Sequence, residues 1–169
     1  MSGECVLFSS ESVTSGHPDK LCDAISDAVV DACIAQDPNA RVACETLVKG
    51  TETTSTIILA GEITVAGTPP DFEAVARATA ASIGYTDAAY GMDAATCDVQ
   101  VYITTQSPHI SQGVSQGDIT QGAGDQGLMF GFANTESEAY PALRGSYMPL
   151  SALLSQALTR RLTEVRESG

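Results

Sequence analysis

Within SESVTSGHPDKLCDAISDAV, residues 10–29, a histidine, an aspartate and a lysine occupy positions 17, 19 and 20. A Ser/Gly-rich stretch runs here into an amphipathic pattern, so all three fall where a loop becomes a helix. A helix start presents free backbone N–H groups and the positive end of the helix dipole, which suits phosphate. His17 can donate to a phosphoryl oxygen, Asp19 can hold a hard cation, and Lys20 can neutralise charge. Pro18 also reads as a plain first-turn proline, so the motif by itself leaves phosphate chemistry and an ordinary helix start both open.

Charge narrows the chemistry. The chain has 169 residues, 21 acidic and eight basic, for a net charge of −13. Three of the eight basic residues, Arg160, Arg161 and Arg166, lie near the C-terminal end. Nucleic acid is excluded as a partner, because counterion-release binding needs clustered Lys and Arg. An acidic protein that handles a phosphate substrate must import positive charge, and divalent metal is the obvious import. Hydrophobic residues make up 43% and mean hydropathy is +0.04, enough for a core. No run of 18 apolar residues occurs, so no membrane span is expected. MSGECVLFSSE lacks the pattern of a secretory signal. Cys5, Cys22, Cys33, Cys44 and Cys97 are odd in number and lack metal-type spacing. Cys22 and Cys33, on a helix with apolar neighbours, read as buried reduced thiols, and a cytoplasmic location is the expectation.

The elements that must position His17, Asp19 and Lys20 follow from periodicity. CVLFSS (5–10) reads as a short strand and residues 19–35 as a helix, with Leu21, Ile25, Ala28, Val29 and Ala32 on one side. Asp23, Asp27 and Asp31 lie one turn apart and read as a solvated face. Asp37-Pro38-Asn39 stops the helix. ARVACETLVK (40–49) and TIILAGEITV (56–65) read as a hairpin around the polar TETTS. Asp71 is the expected N-cap of a second helix, with Phe72, Val75, Ala76, Thr79 and Ile83 facing inward and Gly84 as its stop. CDVQVYIT (97–104) reads as a half-buried strand. The order is β-α-β-β-α-β, so the fold class is α+β, a two-layer sandwich.

Residues 106–127 are Gly/Gln/Ser-rich, and loops of that length serve as lids, binding loops or linkers. LMFGFANT (128–135) reads as a strand. PLSALLSQALTRRLTEVRESG is an amphipathic helix with Leu150, Leu153, Leu154, Ala157, Leu158, Leu162 and Val165 on one side. One strand and one helix do not make a domain, so the expectation is a second α+β unit that is incomplete here. The expected division is 1–105, 106–121 and 122–169.

These residues resemble the S-adenosylmethionine synthetase (methionine adenosyltransferase) family. The resemblance rests on SESVTSGHPDKLCDAISDAVVDA (10–32), QDPNARVACET (36–46), GEIT (61–64), QSPHISQGV (106–114), GAGDQGLMFGFA (122–133) and the RRLTEVRESG ending, all in the family's order. It implies the family's N-terminal domain and the opening of its central domain, out of three α+β domains in longer subunits. The implied reaction is attack of the methionine sulfur on the ribose 5′ carbon of ATP. Triphosphate leaves and is hydrolysed to pyrophosphate and phosphate. Two Mg²⁺ ions and a K⁺ are the implied cofactors, and a homodimer or larger homo-oligomer is the implied assembly.

By matching motif positions, His17 resembles the group that stabilises the departing triphosphate, with Lys20 beside it at the ATP site. Asp19 resembles a Mg²⁺ ligand and Glu45 the K⁺ ligand. Glu62, Gln106 and Asp125 resemble the methionine-binding set. Gln106, Ser107, Pro108, His109, Ile110, Ser111, Gln112, Gly113, Val114, Ser115 and Gln116 resemble the flexible loop that closes over the site. Alternation alone makes Glu45 and Glu62 ordinary polar residues on hairpin strands. Asp125 among glycines reads as a turn residue, and His109 as a solvated loop histidine. The TETTS stretch is longer than the family's usual turn. The family's triphosphate-gripping lysines and metal-binding aspartates have no counterpart here, so the chain is expected to hold half a site. The rival readings are a non-catalytic fragment, or a regulatory or split subunit that joins another synthetase chain.

Overall fold

The computed structural model describes residues 7–105 and 128–169. Among these, residues 16–105 form one compact unit, and residues 7–15 group with 128–169 in another.

In the first unit, helix α1 runs Pro18–Gln36 and buries Leu21, Ile25, Val29 and Cys33, a strict four-residue repeat on one face. Ala28 and Ala32, expected on that stripe, are half-buried beside it, while Asp23, Asp27 and Asp31 are exposed as a solvated face should be. Asp37 ends the helix. Its N–H returns to the Cys33 carbonyl (2.8 Å), and its carboxylate accepts from the N–H groups of Asn39 and Ala66, each at 2.9 Å.

Strands β1 (Arg41–Gly50) and β2 (Ser55–Thr64) pair antiparallel from Arg41↔Thr64 to Gly50↔Ser55. The expected hairpin is present. Helix α2 (Phe72–Ile83) starts at Asp71, whose Oδ1 accepts from Ala74 N at 3.0 Å, and stops at Gly84 in the left-handed region (φ 112°). Two short strands, β3 (Thr86–Asp87) and β4 (Met92–Asp93), pair with each other. β5 (Asp98–Thr104) then lies parallel to β2, giving the sheet order β1-β2-β5. Parallel pairing needs a long crossover between the strands, and α2 supplies it.

Side-chain alternation sorts the sheet into two faces. Ile57, Leu59 and Ile63 of β2 are buried and packed beneath both helices, with Leu21, Ile25, Ala76 and Ala80 among the residues that complete the core. A hydrogen bond between Ser26 Oγ and Thr46 Oγ1 (2.7 Å) adds a polar stitch between α1 and β1. The fold of this unit is mixed α+β, with helices on one face of the sheet.

The second unit contains helix α3, Leu150–Ser168. Glu136 accepts from Leu150 N at 3.0 Å, and the Glu138 carboxylate accepts from Gly145 N at 3.0 Å and Tyr147 N at 3.3 Å. Ser10 and Ser12 hydrogen-bond to Ser151 and Thr159, so the N-terminal segment follows the polar side of the helix. No residue of α3 is fully buried, and its leucine side, including Leu154, Leu158 and Leu162, is exposed.

Two expected strands differ. Residues 7–10 of the stretch 5–10, and all of 128–135, are not strands. Neither stretch pairs with a neighbouring strand among the described residues, and apolar content without a ladder does not make a strand. Met129 and Phe130 are 93% and 91% exposed, so these side chains have no core to enter here.

Candidate functional site

His17 is the N-cap of α1 and Pro18 its first helical residue. The His17 carbonyl accepts from Leu21 N at 2.9 Å, the first turn of the helix. Its Nδ1 accepts from Asp19 N at 3.2 Å, so the imidazole itself caps one of the free N–H groups. An accepting Nδ1 carries no proton, which assigns the proton of the neutral ring to Nε2 and leaves Nε2–H as the donor for a ligand.

Asp19 is 90% exposed, with Oδ2 4.0 Å from His17 Nδ1. Lys20 Nζ pairs with Asp23 Oδ2 at 3.0 Å. The pair is exposed and contributes little stability, so Lys20 can be recruited by a stronger anion at small cost.

Glu45 and Glu62 are carried by β1 and β2, on the sheet face opposite the helices. Glu45 stands opposite Ala60 and Glu62 opposite Ala43. Across β2, Ala60 faces Tyr102 and Glu62 faces Thr104 of β5. This outer face also carries Leu47, Ile58 and Tyr102, the last 63% exposed. The structure therefore brings Glu45 and Glu62 together, while His17, Asp19 and Lys20 belong to the helical layer. Gln106, Asp125 and the loop residues 106–116 lie outside the described residues.

Gly61 fixes how closely β1 and β2 approach beside these glutamates. Its φ is 149°, and a Cβ there would stand 2.0 Å from the Ala43 carbonyl oxygen. Periodicity gave no sign of this, although a lone glycine inside a strand pattern is the usual mark of close backbone approach.

Residues 5–108 match the family described as S-adenosylmethionine synthetase, N-terminal domain, and residues 120–169 match the description S-adenosylmethionine synthetase, central domain. The chain belongs to the S-adenosylmethionine synthetase family. It is similar to the S-adenosylmethionine synthase of Brachyspira hyodysenteriae (strain ATCC 49526 / WA1), 50% identical over 169 residues. That match covers 95% of this chain and 40% of the relative, so the chain spans well under half of the relative's length.

The cations expected for a synthetase can be tested against the donor set. Among the described residues, no three His, Cys, Asp or Glu side chains group so as to hold a metal ion. Asp19 offers one exposed carboxylate and Glu45 another, each far short of the six oxygens that Mg²⁺ requires or a comparable cage for K⁺. The described residues do not make a Mg²⁺ or K⁺ site.

One contact of the His17 loop was not legible in the sequence. The Tyr85 hydroxyl donates to the carbonyl of Gly16, immediately before His17.

Proposed function

We propose that this chain supplies one part of a methionine adenosyltransferase site, with ATP and L-methionine as substrates. The observation that carries the proposal is the relative's identity of 50% along the chain, joined to a His17 whose Nε2–H is left as a donor at a helix start. In the reaction, a sulfur lone pair of methionine forms the bond to the ribose 5′ carbon. The C5′–O bond breaks, and its electrons leave on triphosphate. His17 donates its Nε2–H to the oxygen that gains charge, a donor already in place before charge develops. Lys20 exchanges Asp23 for the polyphosphate. Water then cleaves triphosphate to pyrophosphate and phosphate.

Glu62 receives the methionine ammonium group, with Gln106 and Asp125 completing that set, and residues 106–116 close over the substrates. Asp19 would supply one oxygen toward Mg²⁺ and Glu45 one toward K⁺, the remaining ligands coming from outside the described residues. Residues 1–105 act as the N-terminal domain, 106–121 as the loop and 122–169 as the opening of the central domain. The two-layer sandwich of the family belongs to the same proposal. The outer face of the sheet, with Leu47, Ile58 and Tyr102, supports assembly as a homodimer, in which one site draws residues from both chains. Free Cys22, Cys33, Cys44 and Cys97 agree with a reducing, cytoplasmic setting. No described helix is long and apolar enough to cross a membrane.

The lack of a metal-holding group among the described residues and the bare leucine side of α3 favour a second reading, a subunit that works only with a complementary chain. The test is S-adenosylmethionine formation by the purified chain with ATP, methionine, Mg²⁺ and K⁺, beside an Asp19→Asn control. A folded chain that forms no product is expected. Product that disappears in the control would show a site complete in this chain.

A further inference from the structure

Tyr85 sits just past the C-terminal stop of α2, and its backbone is held on both sides. Its N–H donates to the Ala80 carbonyl at 3.1 Å, and its carbonyl accepts from Ala94 N at 2.9 Å. The ring packs against the buried cluster that includes Leu21 and Ala80. Its hydroxyl is therefore a fixed point, and it donates to the Gly16 carbonyl. The Gly16 C=O and the His17 N–H belong to one rigid peptide plane, so fixing the oxygen fixes the axis about which His17 turns. The glycine does not explain this loop. Gly16 has no left-handed φ, and an added Cβ would meet only the Tyr85 hydroxyl, at an ordinary 3.9 Å.

We propose that Tyr85 is a positioning residue for His17: its hydrogen bond to Gly16 sets the peptide plane that aims the imidazole. The inference deepens the reading of His17 as the triphosphate donor and rests on it for its functional meaning. Tyr85 itself touches no reacting atom. Its reach runs through Gly16 to the cap, where His17 Nδ1 holds the Asp19 amide. Sequence spacing could not show this, because 69 residues separate the two partners.

The test is amide hydrogen exchange at fixed pH on the full 169-residue chain and its Tyr85→Phe variant, which keeps the ring and removes the donor. The Asp19 amide is expected to exchange about tenfold faster in the variant, while the amide at position 85 keeps its protection. Met92→Leu, which alters the same core without touching the hydroxyl, is expected to leave Asp19 exchange unchanged. Unchanged Asp19 exchange in Tyr85→Phe overturns the proposal. So does equal acceleration at both amides, a matching rise in Met92→Leu, or a Tyr85→Phe chain that does not fold. Inorganic tripolyphosphate separates the two readings: if it fails to shift the His17 imidazole signals while Asp19 exchange responds to Tyr85→Phe, the positioning stands and the triphosphate role falls.

Discussion

Glu45 and Glu62 share the outer face of the sheet as diagonal neighbours, one opposite Ala60 and the other opposite Ala43 on the β1–β2 ladder. Diagonal partners in such a ladder lie about 7–8 Å apart, close enough to act on one ligand or its counter-ion. The polar TETTS stretch does not disturb this pairing. The ladder closes at Gly50↔Ser55, so both carboxylates keep the face away from the helices.

Glu62→Gln is expected to weaken methionine use selectively. In a chimera that continues residues 1–169 into the remaining length of the Brachyspira hyodysenteriae synthase, kcat/KM for methionine should fall about 10- to 100-fold. That corresponds to the loss of one hydrogen bond to a charged group, about 1.5–3 kcal/mol. Steady-state kinetics with varied methionine and saturating ATP provide the check.

Gly61→Ala is expected to destabilise the first unit by about 3 kcal/mol or more, because β1 backbone occupies the space and φ lies at 149°. Urea unfolding followed by circular dichroism measures the loss. A midpoint equal to that of the parent chain would mean that the two strands can separate at no cost.

Leu59→Ala is expected to lower stability by about 2–5 kcal/mol, since Leu59 is fully buried on the central strand. The same unfolding experiment reads it, and Leu47→Ala on the exposed outer face should cost far less.

Stability is expected to fall above about pH 9. Burial pushes the thiols of Cys22, Cys33, Cys44 and Cys97 above their ordinary value of 9.0; for Cys97, Arg77 opposes the rise without cancelling it. As pH climbs through the ordinary value, the unfolded chain releases thiol protons that the folded chain retains. Unfolding then gains free energy, and the stability present below that pH is lost through the alkaline range. Thermal unfolding from pH 7 to 10 should show the decline, made shallower by Cys33→Ala relative to its own value at pH 7.

The leucine side of α3 should bind a hydrophobic dye, since Leu158 is 67% exposed and Leu154, Leu162 and Val165 are exposed beside it. A Leu154→Gln, Leu158→Gln, Leu162→Gln triple variant should lose much of that fluorescence while retaining its helical circular dichroism.

Sequence reading succeeded where a local rule decides the outcome. The three- and four-residue spacing of Leu21, Ile25, Ala28, Val29 and Ala32 gave α1, Asp71 and Gly84 bounded α2, and β-branched richness on either side of the polar TETTS gave the hairpin. It failed where a partner decides. The described part of the run 5–10, residues 7–10, and the run 128–135 carry strand-like composition, but only a neighbouring ladder makes such a run a strand. Met92 enters the core through tertiary packing that helix and strand periods do not encode, whereas Ala80, one turn after Ala76, lies on the stripe that the helix period predicts. For the candidate site, the GHPDK stretch was readable as a loop running into a helix start, while Glu45 and Glu62 entered only through the family resemblance. The Nδ1 cap that assigns the His17 proton, the shared face of Glu45 and Glu62, and the Tyr85–Gly16 contact depend on coordinates.

The most direct measurement is S-adenosylmethionine formation by the chimera with the Brachyspira hyodysenteriae synthase, with and without His17→Ala in the part contributed by this chain. Product from ATP and methionine is expected, reduced at least about 100-fold by His17→Ala in a chimera that still folds. A folded chimera that makes no product, or one that makes it equally well without His17, would contradict the proposed function.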